Sequence, residues 1–245
     1  MKPIGIVSAL AAEARTLGPA ARHSAELHRL PDGALLAVSG IGEGAAAAAA
    51  RRLALAGATA LASFGMAGGL DPALICGAVL LPEEVVARDG ATVSATAGEW
   101  RQRLRAALPA SCIACGGKLL TSDRPLGTPD AKAAAWRESR AAAVDMESAA
   151  IAQVARQAGL PFIALRVIVD TASDHLPAAV IAASAGGQLH VVRLLAKLLR
   201  TPGNVGALIR LSARYRIAMR VPAAVSAPGS PARGALVGGP KAELS

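Results

Sequence analysis

Four carboxylates directly follow apolar runs of the chain: Glu13 after "IGIVSALAA", Asp145 and Glu147 after "AAAV", and Asp170 after "FIALRVIV". Asp145 and Glu147 flank Met146 and are followed at once by the alanine-rich "SAAIAQVA". Carboxylates just past the C-terminal ends of strands lie where an open α/β sheet gathers its ligand groups. An ionised carboxyl there stabilises a developing cation or takes a proton from water, and a protonated one donates to a leaving group. Ion pairing with Arg15 or Arg166 is the alternative for any one of them. That alternative weakens when all four occupy corresponding strand ends.

Two glycine clusters follow strands as well. In "VSGIGEGAAAAAA", Gly40, Gly42 and Gly44 raise a dinucleotide-binding reading. The spacing is G-x-G-x-G, no acidic residue lies roughly twenty positions on to hold a ribose hydroxyl, and Glu43 would repel a pyrophosphate at a helix start. An oxidoreductase binding nicotinamide or flavin is therefore not expected. In "SFGMAGGLDP" the backbone N–H groups of Met66, Ala67 and Gly68 are placed to line a small site near the strand ends, unless the glycines serve only a tight turn beside a neighbouring strand.

The elements that must carry these groups are read from periodicity. Continuous apolar runs at Ile4–Ala9, Ala34–Val38, Ala60–Phe64, Ala78–Leu81 and Phe162–Val169 predict strands covered on both faces. Helices are predicted over Ala45–Ala56, Trp100–Leu108, Ala131–Arg137 and Ser148–Ala158, the last stopped by Gly159 and Pro161. Their alternation predicts one α/β domain with a mainly parallel sheet. The uncharged stretch Leu53–Leu70 contains four glycines and suits a helix end, a strand and a tight loop rather than a membrane span. The N-terminal "MKPIGIVSALAAEA" superficially resembles a signal peptide, but its short apolar run meets Glu13 at once and reads as a first buried strand.

The 245 residues carry a formal charge of +9, and its location is uneven. From Gln188 onward nine Lys and Arg residues stand against Glu243 alone, so this segment holds +8 of the total. Residues 188–201 and about 205–220 each read as basic amphipathic helices suited to an acidic membrane surface, with core packing or dimer contacts as the other use of the first. Two Phe, two Trp and one Tyr are too few for a base-stacking platform, so nucleic acid is not an expected partner. Cys76, Cys112 and Cys115 form an odd set that favours a reducing cytosol. Cys112-x-x-Cys115 lacks two further ligands for zinc and reads as part of a strand of small buried residues.

The segments "MKPIGIVSALAAE", "VSGIGEGAAAAAA", "SFGMAGGLDP", "AVDMESAAIAQVA" and "PFIALRVIVDTASD" together resemble, in order and spacing, the purine nucleoside phosphorylase and methylthioadenosine/adenosylhomocysteine nucleosidase superfamily. The resemblance covers Met1 to about Leu199. It implies a three-layer α/β/α fold with a mixed, partly barrel-like central sheet over residues 1–201, while periodicity and a composition rich in Pro, Gly, Ser and Ala predict a basic helical extension over 202–222 and a disordered tail over 223–245.

It further implies cleavage of a purine N-ribosidic bond, with Glu147 binding the ribose hydroxyls beside Met146 and Asp145, Asp170 protonating purine N7, and Glu13 orienting the attacking water. Such scission leaves positive charge on the ribose and negative charge on the purine, which suits an anionic clamp and a proton-donating carboxyl. Burial beside an apolar strand would keep Asp170 protonated. The chain departs from the nucleosidases at Met66 and Val169, where those enzymes have Ser, and around "SDRPLGTP", where they have an adenine-stacking aromatic. It has "ALASF" where phosphorylases place an Arg for phosphate.

Within the superfamily the first loop and basic C-terminal segment are most similar to the hopanoid-associated phosphorylases. This implies adenosylhopane as substrate, release of adenine, no metal or organic cofactor, and inorganic phosphate as a possible co-substrate through Arg15. A methylthioadenosine/adenosylhomocysteine nucleosidase and a non-catalytic nucleoside-binding module are the alternatives. A cytoplasmic homo-oligomer, peripheral at the inner membrane face, is the expected setting.

Overall fold

The computed structural model describes residues 3–18, 26–87, 91–176, 216, 218–220, 223–225, 227 and 229–240. The strands, in chain order, are β1 (Gly5–Ser8), β2 (His28–Arg29), β3 (Leu35–Val38), β4 (Leu61–Gly69), β5 (Val79–Leu80), β6 (Glu84–Val86), β7 (Thr92–Ala95), β8 (Ala114–Cys115), β9 (Lys118–Thr121), β10 (Ala141–Asp145) and β11 (Phe162–Asp170). The helices are α1 (Ala11–Leu17), α2 (Glu43–Leu55), α3 (Gly98–Ala107), α4 (Pro129–Ser139), α5 (Ser148–Gln157) and α6 (Pro231–Val237).

All eleven strands join one mixed sheet, in the order β2-β3-β1-β4-β10-β9-β6-β7, with β11, β5 and β8 branching from β4. Alternate residues of the same strands divide between two cores. Ile6, Leu36, Phe64 and Val167 pack with Trp100 and Leu104 of α3, whereas Val7, Leu35, Leu61 and Ile168 pack with Leu53 of α2 and Ile151 of α5. Burial on both faces is why the strands read as unbroken apolar runs. Helix α2 buries Ala46, Ala49, Ala50 and Leu53, a stripe of helical period, and it packs against α5.

The nine-residue β4 is the branch point. Its first residues pair with parallel β1, its last two with antiparallel β10, and almost its whole length with parallel β11. The glycines of "SFGMAGG" lie within this strand, so the expected tight loop is in fact extended backbone. The reason is steric. A Cβ at Gly65 would lie 2.7 Å from Arg166 Nη1 and 2.9 Å from Glu13 Oε2, and one at Gly68 would lie 3.2 Å from Asp170 Oδ2. The glycines make room for three charged side chains against the strand.

The tail also differs from expectation. Residues 231–237 form α6, which buries Ala232 and Leu236 beside α3. Trp100 Nε1 donates to the Ala235 and Leu236 carbonyls (2.9 and 3.1 Å), and Arg233 donates to Asp32 Oδ2 (2.6 Å) and the Leu17 carbonyl (2.8 Å). A segment rich in Pro, Gly and Ala is ordered here by an apolar pair and an anchored guanidinium. The basic segment over 188–201 and nearly all of 205–220 lie outside the described residues. Among the described residues no helix is long and apolar enough to cross a membrane.

Candidate active site

Glu13 enters from the first turn of α1 and is buried against β4. Its Oε2 accepts hydrogen bonds from Ser8 Oγ (3.0 Å) and the Leu10 N–H (3.2 Å), and its Oε1 accepts from the Met66 N–H (3.0 Å). Burial pushes its carboxyl above the ordinary range, while the Arg166 charge and these donors pull the other way. A buried carboxylate with a raised pKa, fixed by three donors, is a base able to take a proton near neutral pH. Arg15, two residues on along α1, is exposed and contributes nothing to this cluster.

Arg166 lies on β11 beside Gly65 of β4. Its Nε and Nη2 donate to Asp145 Oδ2 (2.9 and 2.6 Å), and Nη2 also reaches Ser63 Oγ (2.6 Å) and Ser148 Oγ (3.0 Å). Burial opposes its charge, but Asp145, Glu147 and Glu13 outweigh that and push its pKa up. An arginine expected only as an ion-pair partner is thus the cationic centre that binds three of the carboxylates into one cluster.

Asp145 and Glu147 divide the labour at the start of α5. Asp145 Oδ1 accepts from Thr121 Oγ1 (2.8 Å), and its two oxygens take the Ser148 N–H (3.2 and 3.3 Å). With Arg166 on the same carboxylate, Asp145 is a brace that caps α5 and holds the guanidinium. Expected among the substrate-binding groups, Asp145 has its oxygens met in the structure by Thr121, Ser148 and Arg166. Glu147 turns instead toward α2, where its Oε1 accepts from the Gly42 N–H (2.9 Å). Gly42 is the N-cap of α2 with φ of 99°, a left-handed conformation that favours glycine. A protein carboxylate therefore occupies the helix N-terminus where a dinucleotide would need its phosphate. Glu147 is buried, and burial followed by the neighbouring Asp145 charge raises its pKa to about 7, against the pull of Arg166 and the Gly42 N–H.

Asp170 ends β11. The β4–β11 ladder shifts by one residue between Ile168 and Asp170, so Asp170 stands opposite Gly68. Gly65, at Glu13 and Arg166, and Gly68, at Asp170, are three residues apart on one strand, about 10 Å of extended chain. The surroundings of Asp170 are less apolar than the sequence suggests: the fully buried Lys132 of α4 donates to its Oδ2. Met66 and Met146 are half-buried, Ala67 is buried, and the Met146 N–H reaches Glu147 Oε2 at 3.3 Å. Leu126, in the stretch lacking an aromatic, packs with Trp136 in a small third core.

Sequence reasoning missed Lys132 and understated Arg166, Thr121 and Ser148. Cys76, Cys112 and Cys115 are half-buried, and burial pushes the Cys112 and Cys115 thiols up, so neither of those two is an activated nucleophile. Among the described residues no cluster of three metal-ligating side chains occurs.

Comparison with known proteins bears on the fold. The fold is similar to that of a variant 5′-methylthioadenosine nucleosidase of Helicobacter pylori holding 5′-methylthioadenosine in its active site (TM-score 0.62, 21% identity, 82% of this chain and 97% of that one). The Neisseria meningitidis 5′-methylthioadenosine/S-adenosylhomocysteine nucleosidase in complex with methylthio-immucillin-A is similar at TM-score 0.61 and 24% identity, over 81% of this chain and all of that one. The futalosine hydrolase of Helicobacter pylori gives TM-score 0.61 and 21% identity over 81% and 96% of the two chains. No curated protein matches the sequence. Residues 11–200 match the phosphorylase superfamily, and the chain belongs to that family.

Proposed function

We propose that the protein cleaves the N-glycosidic bond of an adenosyl compound, releasing adenine, with water as the nucleophile. The observation that carries this reading is the buried cluster of Glu13 and Arg166 at Gly65 of β4, with Glu147 close enough to Arg166 to raise its pKa. Glu147 clamps the ribose hydroxyls and stabilises the cation that forms as the bond breaks, Glu13 takes the proton of the attacking water, and Asp170 serves the departing base. Family membership and the nucleosidase fold support the reaction class.

Water is favoured over phosphate by charge. Glu13, Asp145 and Glu147 surround a single cation, Arg166, whose Nε and Nη2 are committed to Asp145. A phosphate dianion there would meet net negative charge. The exposed Arg15 offers it no counter-charge inside the cluster.

The substrate we favour is adenosylhopane, a lipid that the basic C-terminal segment would draw from an anionic membrane surface. Methylthioadenosine and adenosylhomocysteine are the smaller candidates. Incubation with each of the three, with and without phosphate, decides the matter by free adenine. Release that does not depend on phosphate is expected, with the highest kcat/KM for adenosylhopane. A strict phosphate requirement would overturn the choice of nucleophile, and no release from any substrate would overturn the reaction itself.

A further inference from the structure

Lys132 is wholly buried on α4, at 0% exposure, in the second turn of a helix whose N-cap is Thr128. A buried ammonium near a helix N-terminus is opposed by desolvation and by the helix dipole. Fold stability does not call for it, because an apolar residue in place of one member of a well-packed ion pair, with its partner changed to match, is commonly neutral or stabilising. The ammonium has three N–H donors, and three acceptors receive them: Asp170 Oδ2, the Thr171 carbonyl (2.7 Å) and the Asp174 carbonyl (3.1 Å).

The other charged groups near the pair are accounted for. The Asp174 carboxylate accepts from the Thr171 N–H and hydroxyl, both at 2.8 Å, and Asp145 at the end of β10 is held by Arg166. Asp123, Arg124, Asp130 and His175 in the adjoining segments are exposed, as are Arg137 and Glu138 farther along α4. Lys132 and Asp170 therefore act as one ammonium–carboxylate pair.

Resting on the glycosidic reading above, we infer that Lys132 is a positioning residue that holds Asp170 in place and stores the proton the departing base receives. When the C1′–N9 bond breaks, its electron pair passes into the purine and N7 becomes basic. The proton leaving Lys132 Nζ passes to Asp170 Oδ2 and from that carboxyl on to N7, so Asp170 begins and ends the step as a carboxylate. The water oxygen bonds to C1′ and its proton goes to Glu13. Lys132 is left as a neutral amine whose two remaining N–H bonds still meet the Thr171 and Asp174 carbonyls, so it stays in register. Solvent returns its proton after product leaves, and removes the one on Glu13.

The test compares two leaving groups. Adenine needs protonation, whereas the nitrophenolate of p-nitrophenyl β-D-ribofuranoside departs without it. With Lys132→Met we expect kcat for the adenosyl substrate to fall about 100-fold or more with KM nearly unchanged, and nitrophenolate release to change by less than about 3-fold. The pH dependence of the residual adenine release should differ from that of the wild type, because no ammonium then feeds Asp170. Lys132→Arg, which restores the charge but cannot give up its proton, should hold Asp170 in place without recovering adenine release. Lys132→Gln, retaining an amide donor toward the same carbonyls, is the replacement should Lys132→Met fail to fold. Equal losses on both substrates with an unchanged pH profile would overturn the assignment. A wild-type protein that releases neither adenine nor nitrophenolate overturns the glycosidic reading and this one with it. Nitrophenolate release without adenine release from the wild type overturns the adenosyl reading together with the proton store, whereas adenine release that Lys132→Met leaves intact overturns the proton store alone.

Discussion

Glu147→Gln tests the electrostatics of the site as a stability measurement, independent of substrate. The carboxyl is displaced from 4.5 to about 7 by burial and by Asp145. A native carboxyl that holds its proton more tightly than the unfolded chain does stabilises the fold fully below pH 4.5 and loses that contribution as pH rises toward 7. The displacement is worth about 3 kcal/mol, most of it lost between pH 5 and 8.5. Glutamine cannot ionise, and its amide oxygen can still accept from the Gly42 N–H. The variant should therefore match wild type within about 1 kcal/mol at pH 5 and exceed it by about 3 kcal/mol at pH 8.5, while losing glycosidic activity at both. Urea unfolding at the two pH values reads the difference directly, and thermal midpoints should separate by roughly 6–12 °C at the higher pH. Glu13 is raised in the same direction but is common to both proteins, so it cancels. Stability curves that run parallel from pH 5 to 8.5 would refute the argument.

Three further outcomes follow from the same cluster and its supports. Glu13→Gln should lower kcat by about 100- to 10,000-fold with little effect on adenine binding, and tight adenine binding by calorimetry with normal turnover would contradict its role as base. Arg166→Met should destabilise the fold by about 3–5 kcal/mol, since it leaves Asp145 buried and unpaired, and chemical denaturation measures this. Trp100→Phe removes the indole donor to the Ala235 and Leu236 carbonyls. It should cost about 1–3 kcal/mol and raise hydrogen exchange selectively in residues 231–237.

The scaffold was more legible than the chemistry. Continuous apolar runs announce β1, β3, β4 and β11 because each is covered on both faces, and the Gly159 stop marks the end of α5. The extent of β4 was hidden, because glycines that make room for Arg166, Glu13 and Asp170 look the same in a sequence as glycines that make a turn. Asp145 and Glu147 are one residue apart, and only the fold reveals that one braces Arg166 while the other reaches the Gly42 N–H. Lys132 sits among alanines and reads as a solvated cation. The available signal was its spacing: it shares the stripe of Ala135, Trp136 and Ser139, at helical intervals of three, four and seven, and Lys132 and Ser139 are buried. The α6 segment escaped because composition says nothing of a distant indole waiting for its carbonyls.

The single-residue slip in the ladder at Ile168 has an implication for how such sites change over time. Neighbouring positions on a strand look to opposite sides, so one residue inserted after Val169, with the slip kept, would carry the terminal acid from Gly68 to Gly69 and the far side of the sheet. Lys132 would then face an empty counterpart and the base would lose its proton route, with every other catalytic residue still in place. A lineage could extinguish or relocate leaving-group chemistry by one codon gained at this point, with Glu13, Arg166 and Glu147 left where they are.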